Sequence, residues 1–465
     1  MRLARTGARI AIALALLLPA AVYAHGVLRK SEPANGATLR TAPRVIRLTF
    51  SEAPQLAFTR VELVGPDSQP VALSLLRTAS PDSARVVVTD IVGPLRAGRY
   101  RIQWQITSAD GHPVRGSVAF QIAADAAGLA ISPMDSAATA ALPPAPVTPP
   151  SRGEPGSGPE APFGVDSWQY AIVRLLTFSA IVVIIGAVVF ALIVIPGAHH
   201  RLPDLEASFV LEARRRAAGV ALAAAGALAL LLVARLIAQS YAVRGAFPDA
   251  GFVAGVSRTA WGVGLLLAGA SVIVLAIVLR RGRNAAWTLA AVGAVGLALA
   301  TALSGHAAAS ERWTLVAVAS DTFHILAAGG WLGALLLVVI AGVPAAATLP
   351  SLGRGMAVRG MVDVFSPMAL MFAGALGITG VIAAVLRVGT WSALTGTDYG
   401  RLLLLKIGGL VLVLIAGAYN WLRLRPSLDA ERVGTLRRTA AAELLLGFIV
   451  LGVTAWLVAT PPPVE

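Results

Sequence analysis

The feature that most constrains this chain lies in its second half. From Trp168 onward eight apolar stretches follow one another, near residues 168–195, 213–238, 259–280, 286–304, 320–343, 363–387, 401–422 and 439–459. Each is long enough to cross about 30 Å of hydrocarbon as a helix. In lipid every backbone N–H and C=O must be satisfied internally, so such stretches become helices and pack together. The expectation is an all-α polytopic membrane domain with about eight transmembrane helices over residues 164–465. Composition agrees, with 57% hydrophobic and only 13% charged residues. Arginines segregate by loop: 14 fall in one alternate set and 5 in the other. If the first span begins outside, the positive-inside rule puts the arginine-rich loops in the cytoplasm and both ends of the bundle outside. The net charge of +14 is then a topology signal. It predicts a lipid bilayer as partner and no nucleic acid.

The head of the chain reads differently. Residues 1–24 carry Arg2, Arg5 and Arg9, an apolar run over 10–18, and Val22-Tyr23-Ala24 before a cleavage point. This is the pattern of a secretory signal peptide, and cleavage there would leave His25 first. Residues 25–123 read as a soluble all-β sandwich. Alternating or β-branched runs recur at 45–50, 58–64, 71–76 and 85–89. Tyr100, Ile102, Trp104 and Ile106, then Val118, Phe120 and Ile122, flank a turn-rich break, a hairpin signal. Residues 124–163 shift to Ala, Pro, Ser and Gly without periodicity, which reads as a disordered linker.

With no cysteine in the chain, thiolate metal sites and redox dithiols are excluded. The break in the hairpin, Ser108-Ala109-Asp110-Gly111-His112-Pro113, puts a carboxylate and an imidazole two residues apart on one loop. An N-terminal His25 would offer its α-amine and ring Nδ1 to one metal as a chelate. Together His25, Asp110 and His112 form a nitrogen-rich, roughly square set that suits Cu(II) better than Zn(II).

In the membrane half, ionisable groups within spans are functional candidates. His306 ends the fourth span; Asp321 and His324 begin the fifth and share a helix face at i and i+3. All three fall on the outer side of the inferred topology. Met368 and Met371, on the sixth span, are soft ligands suited to Cu(I). Lys406 lies in the seventh span about one turn beyond Arg401 and Glu443 near the inner end of the eighth, where both could snorkel. No phosphate-binding glycine loop, nucleophile elbow or His-Glu-x-x-His occurs, which leaves ATP-driven pumping and zinc hydrolysis without a basis.

These residues resemble a known pair of families. His25, Ser31-Glu32-Pro33-Ala34-Asn35-Gly36, Leu48-Thr49-Phe50-Ser51-Glu52 and the Asp110/His112 loop look like the periplasmic copper-binding protein CopC. The membrane half looks like its partner CopD. The carriers there are Ser304-Gly305-His306, Asp321-Thr322-Phe323-His324, Gly330-Trp331-Leu332-Gly333, Phe365-Ser366-Pro367, Tyr399-Gly400-Arg401 with Lys406, and Ala418-Tyr419-Asn420. The resemblance covers nearly the whole mature chain except the linker, as in natural CopC–CopD fusions of the YcnJ type. It implies a Greek-key sandwich binding Cu(II) through His25, Asp110 and His112, with Glu52 as a weaker ligand or outer-shell group. It also implies a place in the bacterial inner membrane, a role in copper uptake or resistance, no enzymatic activity, and other copper-handling proteins as partners. Some family members add a methionine-rich Cu(I) site, but residues 25–133 hold no Met, so Cu(I) is expected only in the membrane domain. Two other classes stay open. A terminal His plus a second His resembles the copper site of oxidative polysaccharide monooxygenases, although Asp110 would occupy the position that oxygen needs. His306 and His324 could instead be axial ligands of a membrane haem.

Overall fold

The computed structural model describes residues 28–51, 53–80, 83–107, 113–127, 167–201, 207–281, 286–305, 307, 313–427 and 433–460. The signal segment 1–24, most of the 124–163 linker, and His25, Glu52, Asp110, His112 and His306 lie outside the described residues. The chain divides into two compact units, each with its own apolar core.

The β unit is two sheets. One has the order β1 (Leu28–Glu32), β3 (Val45–Phe50), β7 (Val86–Asp90), β6 (Arg77–Thr78). The other has β2 (Thr38–Thr41), β9 (Pro113–Ala127), β8 (Gly98–Thr107), β4 (Arg60–Val64), β5 (Pro70–Val71). Alternation decides what faces inward. Ile46, Leu48 and Phe50 of β3, and Tyr100, Ile102, Trp104 and Ile106 of β8, meet Val118, Phe120 and Ile122 of β9 in one buried cluster. Three strands have no clear counterpart in the hydrophobic pattern, namely β1, β2 and β6, and all three are sheet edges. Their sequences LRKSE, TLRT and RT are largely exposed, because an edge strand can pair through its backbone without burying a face. The run over 71–76 contributes only Val71, the second residue of β5, and β9 continues to Ala127, four residues beyond the expected domain end.

Among the described residues the helical unit has eight helices long and apolar enough to cross a membrane. They are α1 (Trp168–Arg201), α2 (Ala207–Arg244), α3 (Ala260–Arg280), α4 (Ala286–Leu303), α5 (Thr314–Ala346), α6 (Ser351–Val388), α7 (Asp398–Leu424) and α8 (Val433–Leu457). All eight expected spans are present. Where α2 and α6 outrun the apolar stretch, each is 38 residues, about 57 Å long, so polar ends extend past the hydrocarbon thickness. The interior is tight enough to need glycine: Gly186 of α1 and Gly333 of α5 meet backbone to backbone, with no room for a Cβ on either. Several helices carry five-residue π-helical segments, at Phe190–Val194, Gly329–Gly333, Val338–Gly342 and Asn420–Leu424. Such insertions re-aim side chains and recur at functional sites.

Candidate metal sites

In the β unit the expected ligands lie outside the described residues, which give only the segments that flank them. Leu28, three residues after His25, is paired with Phe50, two residues before Glu52. Thr107 and Pro113, which bracket segment 108–112, are cross-strand partners at the end of the β8–β9 ladder. Gln55 N–H donates to Thr107 O at 3.0 Å, joining the segment after β3 to the end of β8. The flanks of all four β-domain candidates therefore converge on one end of the sandwich. A rigid aromatic floor supports that end. Phe50 meets Trp104 edge-on, with centroids 5.2 Å apart, and the indole lies over Gly116, its cross-strand partner, where a Cβ would collide with the ring.

In the helical unit α5 and α6 bring a second group together. His324 Nδ1 lies 2.8 Å from Thr379 Oγ1, and the Thr379 hydroxyl donates its one hydrogen to Ala375 O at 2.7 Å. The ring nitrogen must then be the donor. His324 is held with Nδ1 protonated, which leaves the lone pair on Nε2 as its metal-binding position. Asp321 Oδ2 accepts from Arg387 Nη2 at 2.8 Å, so its charge is already paired rather than free for a metal. Lys406 of α7 lies within electrostatic reach of this group. The structure parts the two methionines: Met368 is buried at 8% exposure and Met371 is turned outward at 63%. Among the described residues no three His, Cys, Asp or Glu side chains form a metal set.

Family models match three successive stretches: the CopC domain over residues 28–123, the copper resistance protein D-like N-terminal domain over 165–316, and copper resistance protein D over 359–457. Copper resistance protein C of Pseudomonas syringae pv. tomato is 35% identical over 127 residues, 26% of this chain and 99% of that protein. Copper transport protein CutJ of Bacillus subtilis (strain 168) is 27% identical over 462 residues, 97% of this chain and 76% of that one. The chain belongs to the CopC–CopD copper-handling family. Among solved structures, the methionine-rich copper resistance protein PcoC of Escherichia coli is 33% identical and covers 21% of this chain and 99% of its own, with a TM-score of 0.19. As a CopC–CopD protein the chain is a multi-pass membrane protein of copper resistance or transport.

Parts of this CopC–CopD membrane domain escape sequence reasoning. Thr379 and Arg387 lie 55 and 66 residues from their partners His324 and Asp321, and nothing local marks either. Glu443 is only 3% exposed and accepts from Trp331 Nε1 at 3.3 Å and Asn420 Nδ2 at 3.0 Å. A span-end carboxylate free to snorkel was the competing expectation, and its burial replaces that reading. The signal that could have found it is the pairing of an in-span acid with two motif residues that can donate N–H.

Proposed function

We propose that the CopC domain captures Cu(II) outside the cytoplasm and that the membrane domain carries copper across the inner membrane. In the β domain the ligands would be the His25 amine and ring, Asp110 and His112, with Glu52 beside them. The convergence of their flanks on one end of the sandwich supports this set. In the membrane domain the path would begin at His306 and His324, with Met368 next and Met371 less favoured by its outward position. The observation that carries the transport reading is His324, an imidazole within a spanning helix, anchored through Nδ1 and presenting Nε2. Asp321 would join the cargo only as the Arg387 pair opens, so that pair acts as a gate. The arginine bias favours a first span that starts outside and a C-terminus on the same side.

The test is copper accumulation in cells carrying the full chain with His306 and His324 both replaced by Ala. Accumulation should be lost while the purified variant still binds Cu(II) at its β domain. Full accumulation by the double variant would move the path elsewhere.

A further inference from the structure

Three of the motif segments in the helical unit have no part in that path: Gly330-Trp331-Leu332-Gly333, Phe365-Ser366-Pro367 and Ala418-Tyr419-Asn420. They belong to α5, α6 and α7, and they meet. Trp331, Phe365, Ser366 and Asn420 line one cavity of about 330 Å³, and α8 adds Glu443. Trp331 sits within the π-helical segment of α5 and Asn420 opens that of α7, which aims both at the carboxylate. The cavity is separate from the Asp321–His324 group. Trp331 is seven residues beyond His324 and Asn420 fourteen beyond Lys406, about 10 and 20 Å along their helices.

Acceptors outnumber positive charge there. Both Glu443 oxygens receive an N–H, an arrangement that an ionised carboxylate accepts without a proton of its own. Among the described residues no cationic side chain forms an ion pair with it. Asn420 Oδ1 is buried with no partner among the described residues. Ser366 spends its hydrogen on Val362 O at 2.7 Å, so toward any further partner it can only accept. Arg437 lines the same cavity, but it is exposed and lies six residues before Glu443, about 9 Å along α8. A buried carboxylate without a counter-charge is strongly unfavourable. Oxygen donors suit hard cations, whereas Cu(I) prefers sulfur and nitrogen, and one negative charge balances one positive.

We propose that this cavity is a binding site for a hard monovalent cation of the sodium class, held by the Glu443 carboxylate, Asn420 Oδ1 and the Ser366 hydroxyl. The site is separate from the Asp321–His324 group.

The experiment uses the purified full chain in detergent, free of copper, with radioactive sodium binding and thermal unfolding followed in sodium chloride against choline chloride at equal ionic strength. Wild type should bind one sodium saturably, and sodium should raise its unfolding midpoint, as any ligand specific to the folded state does. Glu443→Gln should lose both effects and Asn420→Ala should weaken binding at least tenfold. If Glu443→Gln does not fold, Asn420→Ala carries the assignment. The proposal is overturned if wild type binds no sodium, or if sodium binds equally well to a folded Glu443→Gln. It is overturned too if equimolar Cu(I) displaces the sodium, which would make the cavity part of the copper route.

Discussion

At the scale of single residues, the proposed copper chemistry turns on which nitrogen lone pairs are free. Thr379 fixes the His324 tautomer through one hydrogen bond. Thr379→Val should therefore keep the fold but weaken copper transport, by roughly 10–100-fold in metal affinity, the scale of outer-shell losses. Copper uptake by vesicles containing the variant checks this, and unchanged uptake at low copper would remove Thr379 from the site. In the β domain the free amine of His25 distinguishes the proposed set from an ordinary His-Asp-His cluster. A full-length variant processed to start at Ala24 turns that amine into an amide and breaks the chelate. Its Cu(II) affinity should fall by at least ~10-fold, read by competition titration. Affinity should also decline as pH drops through about 6.5, where unperturbed imidazoles take up protons that compete with the metal. The i, i+3 spacing made Asp321 and His324 legible as a pair in the sequence. That Asp321 faces Arg387 while His324 faces Thr379 depends on how α5 packs against α6.

At the scale of elements, the sandwich end where Leu28, Phe50, Thr107 and Pro113 lie is built by strand register. Trp104 opposite Gly116 is the clearest case, because only a residue without a Cβ lets the indole lie flat there. Gly116→Val should overpack this contact and cost about 1–3 kcal/mol, seen as a lower unfolding midpoint together with weaker Cu(II) binding. Loss of stability with unchanged Cu(II) affinity would separate the aromatic floor from the metal site. At the far edge of the same sheet pair, Arg77 donates to both oxygens of Asp90 at 2.7 and 2.8 Å. That hydrogen-bonded guanidinium holds the Asp90 carboxyl below its usual range. A carboxyl lowered in the folded state stabilises it above the unfolded value and loses that contribution as pH falls through the folded one. Both groups are exposed, so Asp90→Asn should change the acid limb of unfolding only slightly. In the bundle, the Gly186–Gly333 approach of α1 and α5 is the equivalent constraint, and it sets the depth at which Trp331 is presented.

At the scale of the whole molecule, a CopC domain is followed by a CopD-like membrane domain. The arginine bias predicts eight crossings with the C-terminus outside. A reporter fused after Glu465 should be active only in its extracytoplasmic form, and activity confined to the cytoplasm would invert the topology. By itself the sequence determined the class of each half, because both signals are local and repeated. Period-2 alternation marks the buried strands of a sandwich, and about 20 apolar residues in a row admit one solution in lipid. It also exposed the chemistry-bearing side chains near the ends of spans, since a charge in an apolar run stands out in one dimension. Tertiary structure alone decided which of those residues meet. The edge strands β1, β2 and β6 pair through backbone, which leaves no mark on composition. Glu443, Asn420 and Trp331 come from three helices and converge only when those helices pack, because hydrogen-bond partners are chosen by proximity in space rather than along the chain.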